Sequence, residues 1–405
     1  MTDAARLQGR IDQLAAIGGS GASVSRLGLT PDEQRARDVV ASWCAPYGVS
    51  VRRDAAANLY IRFPGDRPGD PVVLVGSHID SVPEGGRFDG ALGVCCAVEA
   101  VISLREAGAR FARPVEVVAW ADEEGARFGI GLFGSAAAFG KLPPGAAERR
   151  DKNGVSIADA LRALGESGDP SKAARDPRGI RAYLELHIEQ GPRLERAGIP
   201  LGIVSDIVGI YHGLVTVRGR QDHAGATVMG ARKDALVAAS EVVVALERIA
   251  SALPDTVGTV GEIAVRPGAK NVVPGVCVFS LDIRAPRQES IDGALAELRR
   301  HMDRVATERG VEIAAEPLQR VSVTPLDAGV RDVLARATKA VGVEAPRLVS
   351  GAGHDAQNPS LSGVPTGMLF VRSTGGSHTP TEFASTEDAA LGTRALENAI
   401  AELAR

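Results

Sequence analysis

Cysteine is scarce in this chain of 405 residues: only Cys44, Cys95, Cys96 and Cys277 occur, with no C-x-x-C spacing among them. Two are adjacent inside an apolar stretch, and all four read as buried free thiols. An excess of charge is also missing, since Lys plus Arg number 46 and Asp plus Glu 50, a net charge of −4. Such a surface offers nothing basic for a polyanion, so nucleic acid is not expected as a partner. Nowhere do about eighteen apolar residues run together, and the N-terminal stretch MTDAARLQGRIDQLAAIG is charged from its start. These absences predict a cytoplasmic protein with no membrane partner. Internal repeats and low-complexity tracts are lacking too.

What remains is an ordinary soluble composition, 44% hydrophobic and 24% charged, which argues against long disorder and fibrous folds. The length suits two or three domains with a sizeable core. Glycine, at 47 residues, is well above its usual share of about 7%. Many tight turns and close backbone approaches follow, as in an α/β enzyme.

From residue 72 short apolar runs alternate with helical patterns: VVLVGSHID, ALGVCCAVEAVISLREAG, VEVVAWADEE. That alternation predicts an α/β fold whose mostly parallel sheet is covered by helices. Residues 140–180 read as loops around one short helix at about 156–165. Between roughly 210 and 323 the order becomes strand 212–219, helix 231–252, strands near 257–265 and 275–284, helix 289–309 and strand 311–317. This is βαββαβ, the ferredoxin-like unit. After VTPLD the α/β pattern resumes, so the catalytic domain is expected to be discontinuous, 1–209 with 326–405. The inserted unit, 210–325, would be a lid and dimerisation domain.

The seven histidines include several where ligands would be expected. His78 ends one apolar run, Glu123 and Glu124 end another, and His378 follows strand 366–371 across a turn. Open α/β sheets place their ligands at the carboxyl ends of strands. Taken singly, each residue has a plainer reading: His187 a polar-face strand histidine, Asp89 a helix N-cap, the two glutamates a solvated loop. Together, His78, Asp89, Glu124, His187 and His378 form a nitrogen and oxygen donor set suited to Zn²⁺, Mn²⁺, Co²⁺ or Ni²⁺. Five ligands exceed the needs of one tetrahedral ion, whereas two ions bridged by a carboxylate would share them.

The segments GSHIDSVPEGGRFDGALGV, ADEEGARF, ELHIEQGPRLE, DHAGATVMGARKDA, SGAGHDAQ and GGSHTPTEF run in order from residue 76 to 383. With them the chain resembles the hydantoinase/carbamoylase branch of the dinuclear metallopeptidase and amidohydrolase superfamily. The resemblance implies that His78, Asp89 and His187 hold one divalent ion, and Asp89, Glu124 and His378 a second, with Asp89 as the bridge. It implies that Glu123 is the general base, taking a proton from the attacking water and passing it to the leaving nitrogen. Asp80 would orient His78, and His223 would stabilise the oxyanion. Gln190, Asn271 and Arg284 would bind substrate, Arg284 by a two-pronged pair with a carboxylate. His354 would line the pocket, with a turn histidine capping the next helix as its plainer reading. Where relatives commonly have proline after HAGAT this chain has Val228, which would loosen the loop carrying His223. His212 and His301 match no motif and read as structural.

The implied activity is hydrolysis of a linear C–N bond in a small carbamoyl or ureido compound bearing a carboxylate. An N-carbamoyl amino acid is expected first; allantoate, ureidoglycolate and β-ureidopropionate are alternatives. HIEQGPRLE speaks against a peptidase, and the intact ligand set against a metal-free scaffold on the same fold. The family also implies a homodimer.

Overall fold

In the computed structural model, which describes residues 2–405, the chain forms two compact units. One runs to Ser205 and resumes at Pro325–Arg405; the other is Asp206–Thr324. In the larger unit, strands Val72–His78, Val115–Trp120, Ile180–Ile188 and Thr366–Val371 are parallel neighbours. Their spatial order is 366–371, 180–188, 72–78, 115–120. Antiparallel strands continue the sheet on both sides, Leu201–Ile207 beside 366–371, and Leu59–Phe63 then Ser50–Arg53 beyond 115–120. The parallel centre is a consequence of composition: VVLVGSH and VEVVAW are buried along their whole length, as strands covered on both faces must be. Val73, Val75, Val117, Leu184 and Leu186 share one core with helices Ala4–Ala15, Ala91–Glu106, Ala328–Ala340 and Thr386–Leu403. Their spacing of two residues puts them on one side of the sheet.

Because the four central strands run the same way, the chain leaves all of them at one edge. His78 is the last residue of its strand, residues 122–124 follow Trp120, His187 is next to last in its strand, and the turn bearing His378 follows Val371.

The smaller unit is an antiparallel sheet in the order 257–259, 276–285, 209–218, 312–321, with Ile263–Arg266 also paired to Val276–Ala285. Helices Ala235–Ser251 and Gln288–Arg309 pack on one face, against Cys277, Phe279, Leu281 and Ile283. On the same strand Val278, Ser280, Asp282 and Arg284 alternate with these and are only half-buried. The order is that of a ferredoxin-like βαββαβ unit.

Several boundaries differ from the sequence reading: the strand expected at 212–219 begins at Gly209, the one expected at 311–317 runs on to Val321, and two further differences have a local cause. The strand expected over 257–265 is broken after Thr259, because Ser280 Oγ takes the N–H groups of Gly261 (3.1 Å) and Glu262 (3.0 Å) in place of backbone partners. The helix expected from 231 begins at Ala235, where the Asp234 carboxylate caps Leu236 and Val237. The four cysteines are free and buried. Among the described residues no helix is long and apolar enough to cross a membrane.

Candidate metal centre

At the carboxyl edge of the large sheet the five candidate ligands form two trios that share one residue. His78, Asp89 and His187 make the first; Asp89, Glu124 and His378 make the second. The two oxygens of Asp89 divide between them. Oδ1 lies 3.2 Å from His187 Nε2 and 3.5 Å from His78 Nε2, while Oδ2 lies 3.6 Å from His378 Nε2. Glu124 Oε2 is 3.3 Å from His378 Nε2. Ligand atoms about 2.0–2.1 Å from a tetrahedral ion are about 3.3 Å apart, so these spacings match the edges of two coordination polyhedra sharing a carboxylate.

The hydrogen bonds fix the tautomers in the same sense. His187 Nδ1 donates to the Ile188 carbonyl (2.9 Å), and His78 Nδ1 to the Asp80 carbonyl (3.2 Å), with the Asp80 carboxylate 3.4 Å away. In its neutral form each ring therefore turns the lone pair of Nε2 toward Asp89, the arrangement of a metal-ligating imidazole. Glu124 Oε1 is buried with no hydrogen-bond partner, an orphan that a cation would satisfy. A Cβ at Gly90 would overlap His78 Nε2. Gly90, at φ 61°, occupies the cap position of helix Ala91–Glu106. Asp89 is thus not the N-cap; its carboxylate faces the histidines instead.

Charge is badly balanced without a cation. Burial, together with the nearby Glu124, Asp355 and Asp80, pushes the Glu123 carboxyl well above the usual range, although His78 opposes this. Burial and then Asp89 do the same to Glu124. Burial disfavours charge on His78, but Glu123, Asp80 and Asp89 outweigh it and raise its pKa. Burial works against ionised Asp89 as well, and His187 and His78 pull it below the ordinary carboxylate range. Several carboxylates crowded into a low-dielectric site are what divalent cations compensate. The donor set, spacing and orphaned oxygen all fit two such ions.

Glu123 stands apart from both trios, with Oε2 3.7 Å from His78 Nε2. Gln190, in a left-handed conformation at φ 62°, donates from Nε2 to Asp89 Oδ2 (2.8 Å). His354 is buried edge-on to His187, ring centroids 4.5 Å apart, with Nε2 2.8 Å from Ser350 Oγ. Burial, then His187, hold it well below the usual imidazole range, hence neutral.

The remaining candidates belong to the smaller unit. His223 and Asn271 are neighbours there: strand Asp222–His223 pairs with Val272–Val273, and the Ala224 N–H donates to the Asn271 carbonyl at 3.0 Å. His223 Nδ1 accepts the N–H groups of Gly225 and Ala226, both at 3.0 Å. In the neutral ring the proton must then be on Nε2, leaving that nitrogen as a donor. Arg284 is on strand Val276–Ala285, forked onto Asp282 with Nε–Oδ1 3.0 Å and Nη2–Oδ2 2.9 Å.

Sequence reasoning passed over Ser377 and Glu382, which hold the shared aspartate. Glu382 Oε1 accepts the N–H groups of Phe88 and Asp89, each at 3.0 Å. Ser377 Oγ donates to Asp89 Oδ2 (2.8 Å) and Glu382 Oε2 (3.1 Å). Both lie within the quoted GGSHTPTEF, but nothing in that string says that residue 382 meets residues 88 and 89.

Residues 74–402 match the model of Peptidase family M20/M25/M40. The chain is 42% identical to the N-carbamoyl-L-amino acid amidohydrolase of Geobacillus stearothermophilus, with 100% of both chains aligned. It is 35% identical to the allantoate amidohydrolase of Bacillus subtilis (strain 168), over 97% of this chain and 96% of that one. A crystal structure of an amidase of the hydantoinase/carbamoylase family from Burkholderia multivorans superposes with a TM-score of 0.89 at 35% identity, covering 100% of this chain and 98% of the other.

Proposed function

The chain belongs to the hydantoinase/carbamoylase branch of Peptidase family M20/M25/M40 and is an amidohydrolase; on that footing we propose that its substrate is an N-carbamoyl amino acid, cleaved to the amino acid, CO₂ and NH₃. The observation that carries the metal-dependent part of this reading is the division of Asp89 between two ligand trios. The substrate part rests on the 42% identity to a carbamoyl amino acid hydrolase, against 35% to an allantoate amidohydrolase.

In this reading His78, Asp89 and His187 hold one divalent cation, and Asp89, Glu124 and His378 the other. When bound, such cations supply Lewis acidity, polarising a carbonyl and lowering the pKa of water toward neutrality. Glu123, near the ligands but outside both trios, takes the proton of the attacking water and returns it to the nitrogen as the C–N bond breaks. His223 donates from Nε2 to the oxygen that gains charge, since its Nδ1 is occupied as an acceptor. Arg284, its Nε–Nη2 edge held by Asp282, offers its Nη1–Nη2 edge to the substrate carboxylate, with Asn271 and Gln190 completing the polar contacts and His354 a neutral wall. Self-association as a homodimer is part of the same proposal and is read directly by light scattering.

The decisive experiment measures ammonia release from metal-loaded protein with N-carbamoyl amino acids, allantoate and ureidoglycolate in parallel. The highest kcat/KM should fall on a carbamoyl amino acid. A preference for allantoate would move the protein to the neighbouring activity, and turnover in protein proven free of metal would refute the proposed chemistry altogether.

A further inference from the structure

The helix Pro31–Cys44 begins with Thr-x-x-Glu. Thr30 is its N-cap, accepting the Glu33 N–H at 3.4 Å. In a capping box the glutamate would turn back onto the N–H of the cap residue. Glu33 does something else. Fully buried, it takes the Leu29 N–H on Oε2 (2.7 Å) and, with Oε1, the N–H of Asp122 at 3.1 Å. Asp80 continues the row, accepting Glu123 N–H on Oδ1 (3.0 Å) and Glu124 N–H on Oδ2 (3.1 Å). Two buried carboxylates from separate segments thus grip three successive amides of the acidic loop.

The loop needs holding. Asp122 has φ 49°, a left-handed conformation that costs a non-glycine residue free energy unless its surroundings impose it. Room for it exists only because residue 28 is glycine, where a Cβ would overlap the Asp122 side chain. Glu33 itself is balanced by an ion pair with Arg37, also fully buried, whose Nε has no acceptor. Buried pairs of that kind are often no better for stability than two apolar side chains. Its presence is better explained by what Glu33 does for residue 122.

We infer that Glu33 is a positioning residue of the centre: by holding the Asp122 amide it fixes the backbone from which Glu123 and Glu124 project. This rests on the roles assigned to those two glutamates above. It also brings the helix Pro31–Cys44 and the loop before it into the catalytic apparatus, although neither carries a proposed ligand.

The test replaces the ion pair in two ways and reads metal affinity by calorimetry on stripped protein, with kcat and KM measured separately. Glu33→Leu with Arg37→Met removes the acceptor and leaves an apolar pair with no lone buried charge, at the cost of two stranded amides, those of Leu29 and Asp122. Its affinity for at least one ion should fall about 10–100-fold, the usual effect of losing a group that supports a ligand. Its kcat should fall with little change in KM. Glu33→Gln with Arg37→Met keeps an acceptor for the Asp122 amide without a lone buried cation, and should recover most of both losses. If the first variant does not fold, the second decides: near-wild-type affinity and kcat support the inference, and a loss of tenfold or more in that folded variant, which keeps the acceptor, overturns it. Metal affinity and kcat within twofold of wild type in a folded variant lacking the acceptor would overturn the inference while leaving the proposed function standing. A wild type that binds no metal would overturn both.

Discussion

Removing Asp89 should separate the stability of the fold from that of the centre. In Asp89→Ala the direct losses are few: Ser377 keeps Glu382 as an acceptor, Gln190 Nε2 loses its carboxylate partner, and His78 and His187 lose the anion facing their Nε2 atoms. One stranded donor costs about 1–3 kcal/mol, and relief of the repulsion that Asp89 exerts on Glu124 and Glu382 offsets part of that. The metal-free variant should therefore melt within a few degrees of metal-free wild type. The loaded forms should differ far more, because one carboxylate serves both trios. A hundredfold excess of ion over Kd is worth about 2.7 kcal/mol of stabilisation per site. Losing both sites would thus remove about 5 kcal/mol by the same linkage. The assay is thermal unfolding of stripped and loaded protein, with ions per chain counted by mass spectrometry after dialysis. Asp89→Ala should show almost no metal-induced rise in Tm and fewer than two ions. Two ions per chain and an undiminished rise would refute the bridge.

Glu123→Gln should keep both ions and lose about 10²–10⁴ in kcat, the usual contribution of a positioned acid or base, whereas Glu124→Gln should lose metal affinity first; the reverse pattern, seen by paired kinetics and metal counting, would exchange the two roles. Arg284→Ala should cost about 2–5 kcal/mol in kcat/KM toward a carboxylate substrate, and hardly change turnover of its neutral amide; equal losses on both would make Arg284 structural. Asp282 is buried enough to disfavour its charge, yet His212 and Arg284 bring its pKa down to about 2. A carboxylate with a depressed folded pKa stabilises above its unfolded value, and that contribution is lost as pH falls toward 2. Asp282→Asn should accordingly lower Tm near pH 6, and its deficit should shrink below pH 4 in an unfolding series; a deficit independent of pH would mean that packing, not charge, holds Asp282.

Much of the candidate centre is legible because its proposed ligands stand at predictable points of a repeating pattern. His78 closes the run VVLVGSH and Glu124 follows VEVVAW, and parallel strands must deliver such residues to one edge. Asp89 is less transparent. Its place just before a helix fits an N-cap equally well, and only the left-handed Gly90 shows that the chain turns the carboxylate inward. Boundaries in the smaller unit failed for local reasons of the same kind. Ser280 breaks a facing strand with its hydroxyl, and a side-chain bond across 18 and 19 residues leaves no trace in periodicity. Glu33 carries a helix-start signature, and that signature is real as far as Thr30 is concerned. What it conceals is the direction of the carboxylate.

By itself, then, the sequence determined the alternation of strands and helices, the inserted antiparallel unit, and the residue types offered to metal. Those depend on hydrophobic period and on chemistry carried within short segments. Tertiary structure alone decided which oxygen of Asp89 faces which trio, which nitrogen of His78, His187 and His223 is free, and that Ser377, Glu382 and Glu33 hold the backbone of the centre in place. These are contacts between residues as much as 294 positions apart. Their geometry follows from how buried polar groups find partners once the core has closed, and no spacing along the chain encodes it.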